Sequence, residues 1–264
     1  MSKGRILLGL TTIIVGLAAV AMVAANPVHH ATVHSQSWSF TGFFGHFDHA
    51  QLRRGHQVYK DVCAGCHSMS LLAYRDLQDI GFTEDEVQAL AAEVQVEDGP
   101  DDTGAMFERP GRASDRFKEP FPNEQAARAA NNGAYPPDLS LIAKSRAGAG
   151  FLGYEGADYI HSLMVGYEEP PANVTLPEGM YYNHAFKGHQ IAMPPPLSED
   201  GVTYADGTQA TLDQQAKDIS AFLTWAAEGN LDERHRTGIK AVLFLVIFTL
   251  LAYAVKRRVW ADVH

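Results

Sequence analysis

The residues whose types and spacing can do chemistry are Cys63-Ala64-Gly65-Cys66-His67. Two thiols separated by two residues can each form a thioether to a porphyrin vinyl group, and the histidine that follows falls beneath the iron. C-x-x-C-H is therefore the attachment sequence for c-type haem. The chain has 2 cysteines, so one haem would use every thiol. The same cysteines could serve a zinc site or a redox dithiol. Zinc needs a second Cys or His pair at ligand spacing, and a thioredoxin-like motif belongs in a βαβ pattern. Neither context is present. The motif predicts one haem c held by Cys63 and Cys66, with His67 as an axial ligand.

The sixth iron ligand decides what such a haem does, and 7 methionines and 12 histidines compete for it. Met193 has the most telling setting, in Gln190-Ile191-Ala192-Met193-Pro194-Pro195-Pro196-Leu197. A thioether is a soft, uncharged ligand that favours ferrous iron, and prolines on its C-terminal side fix the loop without using backbone donors. Met69 lies too near His67 to reach the opposite face, while His184 and His189 stay as competitors that would lower the potential. Ile191 is β-branched and stiff, which suits it to holding the Met loop and excluding water.

These groups must be positioned by a framework, which starts at the ends of the chain. Lys3 and Arg5 precede an apolar run from Ile6 to Ala25, with Val23 and Ala25 at cleavage-site positions. This reads as a signal peptide over residues 1–25, with an uncleaved anchor as the alternative. Residues 26–236 then form one exported domain. Thr237 to Val255 is apolar apart from Gly238 and Lys240 near its start, and Lys256, Arg257 and Arg258 follow. At about 1.5 Å per residue the run spans roughly 28 Å, close to the ~30 Å hydrocarbon core. It reads as a transmembrane helix, with residues 256–264 as a cytoplasmic tail by the positive-inside rule and Trp260 in the interfacial belt.

Within the domain, Asp48 to Val62 reads as a helix with an inner stripe of Leu52, Gly55, Tyr59 and Val62. Gly55 in that stripe implies a close helix crossing. The partner is Thr211 to Ala227, which carries a T-x-x-Q capping box and a stripe of Leu212, Ala216, Ile219, Phe222, Leu223 and Ala226; Phe222 is expected against Gly55. Further helices are predicted over Asn123 to Ala130, about Asp138 to Arg146, and about Ala157 to Val165. Proline and glycine clusters separate them and strand signals are sparse. The fold class is mainly α, a shell of helices and ordered loops. Gly148, Gly150 and Gly153 spell G-x-G-x-x-G but follow a probable helix rather than a strand, so the dinucleotide context fails.

Charge bears on partners. The chain has 31 Asp and Glu against 21 Lys and Arg; setting aside Lys3, Arg5, Lys240, Lys256, Arg257, Arg258 and Asp262 leaves 30 and 15, a net of −15. That excludes a nucleic-acid binder and favours cationic partners. Glu84, Asp85, Glu86, Glu93, Glu97, Asp98, Asp101 and Asp102 fall in one segment without Lys or Arg. Thr83 and Glu86 form a capping box for a short helix there, with Phe82 and Val87 as a staple, running into an acidic loop. The cluster is expected to steer a basic protein.

Taken together, CAGCHSMSLLAYRDL, MFERPGRASDRF, PNEQAARAANNGAYPPDLSLIAKSRAG, GYEEPP, IAMPPPL, DGTQAT and the single C-terminal anchor resemble the cytochrome c1 family, and specifically a bacterial member. The resemblance covers essentially the whole mature chain. It implies a class I cytochrome c-like domain with long loop insertions, as the haem subunit of a quinol–cytochrome c oxidoreductase (bc1) complex rather than an enzyme on its own. It implies Cys63 and Cys66 as thioether sites, His67 and Met193 as axial ligands, Pro137 beside the His67 ring, Arg146 and Tyr159 at the haem propionates, and Asn131 at the haem edge. It further implies a Rieske iron–sulfur protein as donor, a soluble or anchored cytochrome c as acceptor, cytochrome b beside the anchor, a dimeric complex, and a periplasmic haem domain on the bacterial inner membrane. An independent anchored cytochrome and a haem enzyme with an open sixth site are the rival readings. Some bacterial relatives carry an extra cysteine pair that this chain lacks.

Overall fold

The computed structural model describes residues 32–147 and 155–262. The expected signal peptide and the Gly148 to Gly153 run fall outside them.

Helix α1, His49–Val58, starts where the Asp48 carboxylate accepts hydrogen bonds from the Ala50 and Gln51 amides. It packs against α6, Leu212–Ala227. The crossing is as close as the glycine implies: a Cβ on Gly55 would lie 2.1 Å from the Asp218 carbonyl oxygen and 2.6 Å from the Phe222 Cβ. Leu52, Val58, Tyr59, Ile219 and Phe222 fill the core around that point.

Beyond Val58 the structure departs from the expected helix to Val62. Tyr59–Cys63 is a π-turn, in which the Ala64 amide reaches back to the Tyr59 carbonyl at 2.8 Å. One extra residue per turn is invisible in hydrophobic spacing, and π-turns gather at functional sites. A 3-10 helix follows over Tyr74–Ile80.

Helix α2, Glu84–Ala92, carries the expected reciprocal box between Thr83 and Glu86. The acidic stretch after it is not a loop. β1, Gln95–Asp98, pairs antiparallel with β2, Phe107–Pro110. Each strand has only 4 residues and no clean apolar alternation, which is why the sequence pattern does not disclose it.

Helix α3, Glu124–Ala130, is capped by Asn123 and unwinds through Asn132 (φ 50°) and Gly133 (φ 87°), as expected. The helix expected over Asp138 to Arg146 shrinks to α4, Ile142–Ser145. The reason lies in Asp138, whose carboxylate is occupied elsewhere. It accepts from the Ser68 and Ser70 hydroxyls (3.0 and 2.7 Å), the Ser70 amide (2.9 Å) and the Ser140 amide (2.8 Å). The Leu139 amide also donates to the Ser68 carbonyl at 2.9 Å. These bonds tie the turn after Pro137 to the turn after His67.

Helix α5, Glu155–Val165, lies on α4 and α6, and its Gly156 admits the Ala143 carbonyl. A second short hairpin pairs β3, Tyr181–Tyr182, with β4, Gln190–Ile191. Helix α6 is surrounded rather than amphipathic. Along with its apolar stripe it buries Gln215, Asp218, Ser220 and Thr224. Each has a partner: Asp218 meets Arg54 at 2.9 Å and Gln214 at 2.8 Å, Ser220 and Thr224 bond their own helix, and Gln215 donates to Ser198 and Ala210 carbonyls. Gln214 thus turns to Asp218 instead of completing the expected capping box.

Helix α7, Leu231–Val259, has 29 residues, about 43 Å long at 1.5 Å per residue. It starts earlier than the expected Thr237, because its first turn still belongs to the domain, with Leu231 buried. It is one helix, among the described residues, long and apolar enough to cross a membrane, and its apolar window is fully exposed. The molecule is mainly helical with an apolar C-terminal anchor, as the sequence predicts.

Two outcomes test this frame. Gly55→Ala should lower stability by about 1–3 kcal/mol through overpacking at α6, and an unchanged urea midpoint would contradict the crossing. For Asp138, burial alone would raise the carboxyl, but the Ser140 and Ser70 donors hold it at about 2 instead of 3.8. A lowered folded value gives stability that is complete above about pH 4 and lost as pH falls towards 2. Asp138→Asn should therefore cost about 1–3 kcal/mol at neutral pH, with parent and variant converging near pH 2; a gap independent of pH would show that the carboxylate is not what holds the turn.

Candidate haem-binding site

The π-turn delivers Cys63 at the end of α1, and the chain then doubles back. The amides of Cys66 and His67 both donate to the Cys63 carbonyl, at 3.1 and 2.9 Å. Neither cysteine is in a disulfide; Cys63 is half-buried and Cys66 exposed. Burial, with Cys66 nearby, pushes the Cys63 thiol up to about 12, so it is a neutral group facing apolar surroundings rather than a thiolate. Among the described residues no group of three or more His, Cys, Asp and Glu side chains could hold a metal ion. A thiol pair with no further ligands suits thioether attachment and does not suit zinc.

His67 brings its Nδ1 to 2.8 Å from the Pro137 carbonyl oxygen. That carbonyl can only accept, so Nδ1 carries the hydrogen and Nε2 is left with a lone pair. Burial also lowers the imidazole's affinity for a proton, against the opposing pull of Pro137 and Asp138. A neutral ring, oriented by a backbone carbonyl, is the form that ligates iron. The serine and Asp138 bonds hold the two turns in register on which this contact depends.

The Met193 segment is pinned at three places. Upstream, Ile191 is buried and pairs with Tyr181 in the β3–β4 hairpin. At the residue itself, the Tyr167 hydroxyl donates to the Met193 carbonyl at 3.1 Å. Downstream, Gln215 of α6 donates to the Ser198 carbonyl at 2.7 Å and Leu197 is buried. The hairpin in turn rests on Asn183, fully buried, whose amide donates to the Leu163 carbonyl and accepts from the Ala185 amide. The competing histidines make contacts through Nδ1. His184 lies 3.5 Å from Glu168 through Nδ1, and the His189 ring stacks on Tyr182 with Nδ1 3.3 Å from the Asn183 carbonyl.

Arg146 and Tyr159 are brought together. The guanidinium hydrogen-bonds the phenol, which burial nevertheless pushes above its usual value. The Gly156 contact between α4 and α5 makes the pair possible. Tyr167, likewise pushed up by burial and then by its neighbours Tyr159 and Tyr181, continues the line towards Met193. His67, Pro137 and Asp138 thus lead through α4 to Arg146, Tyr159, Tyr167 and Met193. Asn131 stands apart from that line: it ends α3, and its side chain donates to the Ala127 carbonyl.

Sequence reasoning missed Asp138, Tyr167 and Asn183. Asp138 had a signal, since Pro-Pro-Asp-x-Ser is an Asx-type turn with a carboxylate free to take amides. Asn183 and Tyr167 act through distant backbone and left none.

The acidic residues divide. Glu86 bonds Arg53 at 2.7 Å, Glu93 meets Lys60 at 2.6 Å, and Asp98 pairs with Arg109, which also clasps Asp115. Asp101 caps the β1–β2 turn through Thr103 and Ala105. Glu84, Asp85, Glu97 and Asp102 are exposed and make no ion pair among the described residues. The acidic surface is thus smaller than the eight-residue segment.

Comparison with known proteins gives the same picture. Residues 38–263 match the model of the Cytochrome C1 family. The chain is 49% identical over 248 residues to "Cytochrome c1-2, heme protein, mitochondrial" of Solanum tuberosum, covering 94% of this chain and 92% of that one. It is 46% identical to "Cytochrome c1" of Rhodospirillum rubrum, covering 88% and 89%. It is 50% identical to "Cytochrome b/c1" of Bradyrhizobium diazoefficiens over 86% of this chain and 35% of that protein. A match over nearly the whole described length, at identities near one half, shows that this chain belongs to the cytochrome c1 family.

Proposed function

We propose that this chain is a membrane-anchored monohaem c-type cytochrome, the electron-transfer subunit of a quinol–cytochrome c reductase (bc1) complex. It takes electrons from a Rieske iron–sulfur protein and passes them to a soluble or anchored cytochrome c. The observation that carries this reading is the His67 to Pro137 bond within the doubled-back C-x-x-C-H turn.

In this reading Cys63 and Cys66 would hold haem c by thioethers, and His67 Nε2 and the Met193 sulfur would ligate its iron. When bound, the haem would supply a one-electron couple. The protein's task is then to position, shield and tune. Pro137 fixes the His67 tautomer, and Tyr167, the β3–β4 hairpin and Gln215 hold the Met193 backbone. Buried Ile191 excludes water on that side. Arg146, supported by Tyr159, offers a cation to propionate groups, while Asn131, bonded to its own helix, contributes at most the shape of the haem edge.

Family membership and the apolar helix support the remaining assignments of this reading. Helix α7 crosses a bacterial inner membrane once, beside cytochrome b, with the haem domain in the periplasm and Lys256, Arg257 and Arg258 in the cytoplasm. The complex is dimeric. The unpaired carboxylates Glu84, Asp85, Glu97 and Asp102 steer a basic acceptor, and the paired Glu86, Glu93, Asp98 and Asp101 chiefly hold that surface in shape.

Two experiments bear on this. A redox titration with a carbon monoxide challenge on the solubilised protein should find low-spin, high-potential haem indifferent to carbon monoxide, and Met193→Leu should lower the potential and admit the gas. Wild-type haem that already binds carbon monoxide would move the reading to an open-site enzyme. Neutralising Glu84, Asp85, Glu97 and Asp102 should slow reduction of a basic cytochrome c at low salt, and high salt should erase the difference. Equal low-salt rates for variant and parent would remove the steering role.

A further inference from the structure

The stretch Trp38-Ser-Phe-Thr-Gly-Phe-Phe-Gly-His-Phe47 holds five large aromatic residues, and the fold sorts them sharply. Trp38, Phe40 and Phe47 are buried and stack in sequence, with ring centroids 5.5 and 5.0 Å apart. Phe43 and Phe44 point outwards, 55% and 77% exposed, in an edge-to-face pair at 5.1 Å.

The tip that carries them is rigid. The Thr41 amide and hydroxyl both donate to the Trp38 carbonyl, the Gly45 amide to Gly42, and the His46 amide to Ser39. Gly45 is wedged where a Cβ would lie 2.4 Å from the backbone of Phe40 and Thr41. Nothing in the turn itself needs two phenyl rings in solvent.

The place of the tip supplies the reason. His235 Nδ1 lies 2.7 Å from the Gly45 carbonyl, and the Phe47 amide donates to the Asp232 carboxylate at 3.1 Å. Both partners belong to the first turns of α7. His235 precedes Thr237, where the apolar run begins, by two residues, about 3 Å along the axis. The exposed rings are therefore held close to the level where α7 enters the bilayer, where apolar rings such as Phe can bury at the headgroup–acyl boundary.

We propose that Phe43 and Phe44 form a second membrane contact, seated in the headgroup–acyl boundary of the lipid surface that α7 crosses. This rests on α7 being a membrane anchor and adds that the domain touches the bilayer at a second point. One helix leaves a domain free to tilt about its stalk. A clamped aromatic tip beside that stalk removes the freedom, and with it sets the height and direction of the haem edge.

The test uses the full haem-loaded chain, in which Cys63 and Cys66 are consumed, in bilayer nanodiscs of equal phosphatidylcholine and phosphatidylglycerol. Single cysteines replace Phe44, Asp102 or Phe248 and carry a nitroxide. Phe44 is so exposed that Phe44→Cys leaves the fold intact. The label at 44 should show a several-fold loss of access to a water-soluble nickel relaxer relative to 102, together with raised access to oxygen. If 248 reads as lipid while 44 reads as water like 102, the second contact is refuted and the anchor stands. If 248 also reads as water, both fall together. Low access of the 44 label to both relaxers would mark a protein neighbour, cytochrome b or a second copy, and would equally overturn the lipid contact.

Discussion

The approach of α1 to α6 at Gly55 is the constraint on which the rest depends. With the Asp218 carbonyl where a side chain would otherwise stand, no larger residue lets the two helices come this near. The π-turn that presents Cys63 follows directly on α1, one turn beyond Gly55. The same α6 residues reach the other side of the site, since Gln215 holds the segment after Met193. One helix thus sets the position of both the attachment turn and the Met loop. Its buried polar groups carry that coupling, which is why it is enclosed on all sides instead of showing one apolar face.

Around this frame the site is built largely by backbone carbonyls and amides. Pro137 orients His67, Tyr167 grips the Met193 carbonyl, and Asp138 gathers amides and hydroxyls from two turns. Backbone groups have few ways to move once their segments are closed, so the His67 ring and the Met193 backbone are held in place by the fold itself. Proline-rich loops serve the same end, because they spend no donors that the site would have to satisfy.

The legibility of these features in the sequence follows their physics. Covalent chemistry needs particular side chains at fixed spacing, so Cys63, Cys66 and His67 were readable at once. Helix packing repeats every few residues, so α1, α2, α3, α6 and the Gly55–Phe222 contact were readable too. Features made by backbone alone leave no periodic trace: the π-turn, the two short hairpins and the truncation of α4 all escaped. Asp138 shows the mechanism, since its carboxylate looks like a helix N-cap but is shared between the local Ser140 amide and the distant turn at Ser68 and Ser70. The acidic segment looked uniform because the cations that neutralise part of it, Arg53, Lys60 and Arg109, lie outside it. Met193 stands out by its proline-flanked setting, Pro137 only by family resemblance, and the geometry adds the bonds that hold them.

The proposed function rests on covalent attachment of one haem through the two thiols of the C-x-x-C-H turn. Its most direct test is the intact mass of the chain purified from membranes, before and after treatment with a thiol alkylator. The expected mass is that of the polypeptide plus one haem, unchanged by the alkylator. A chain at bare polypeptide mass that takes up two alkyl groups would contradict it.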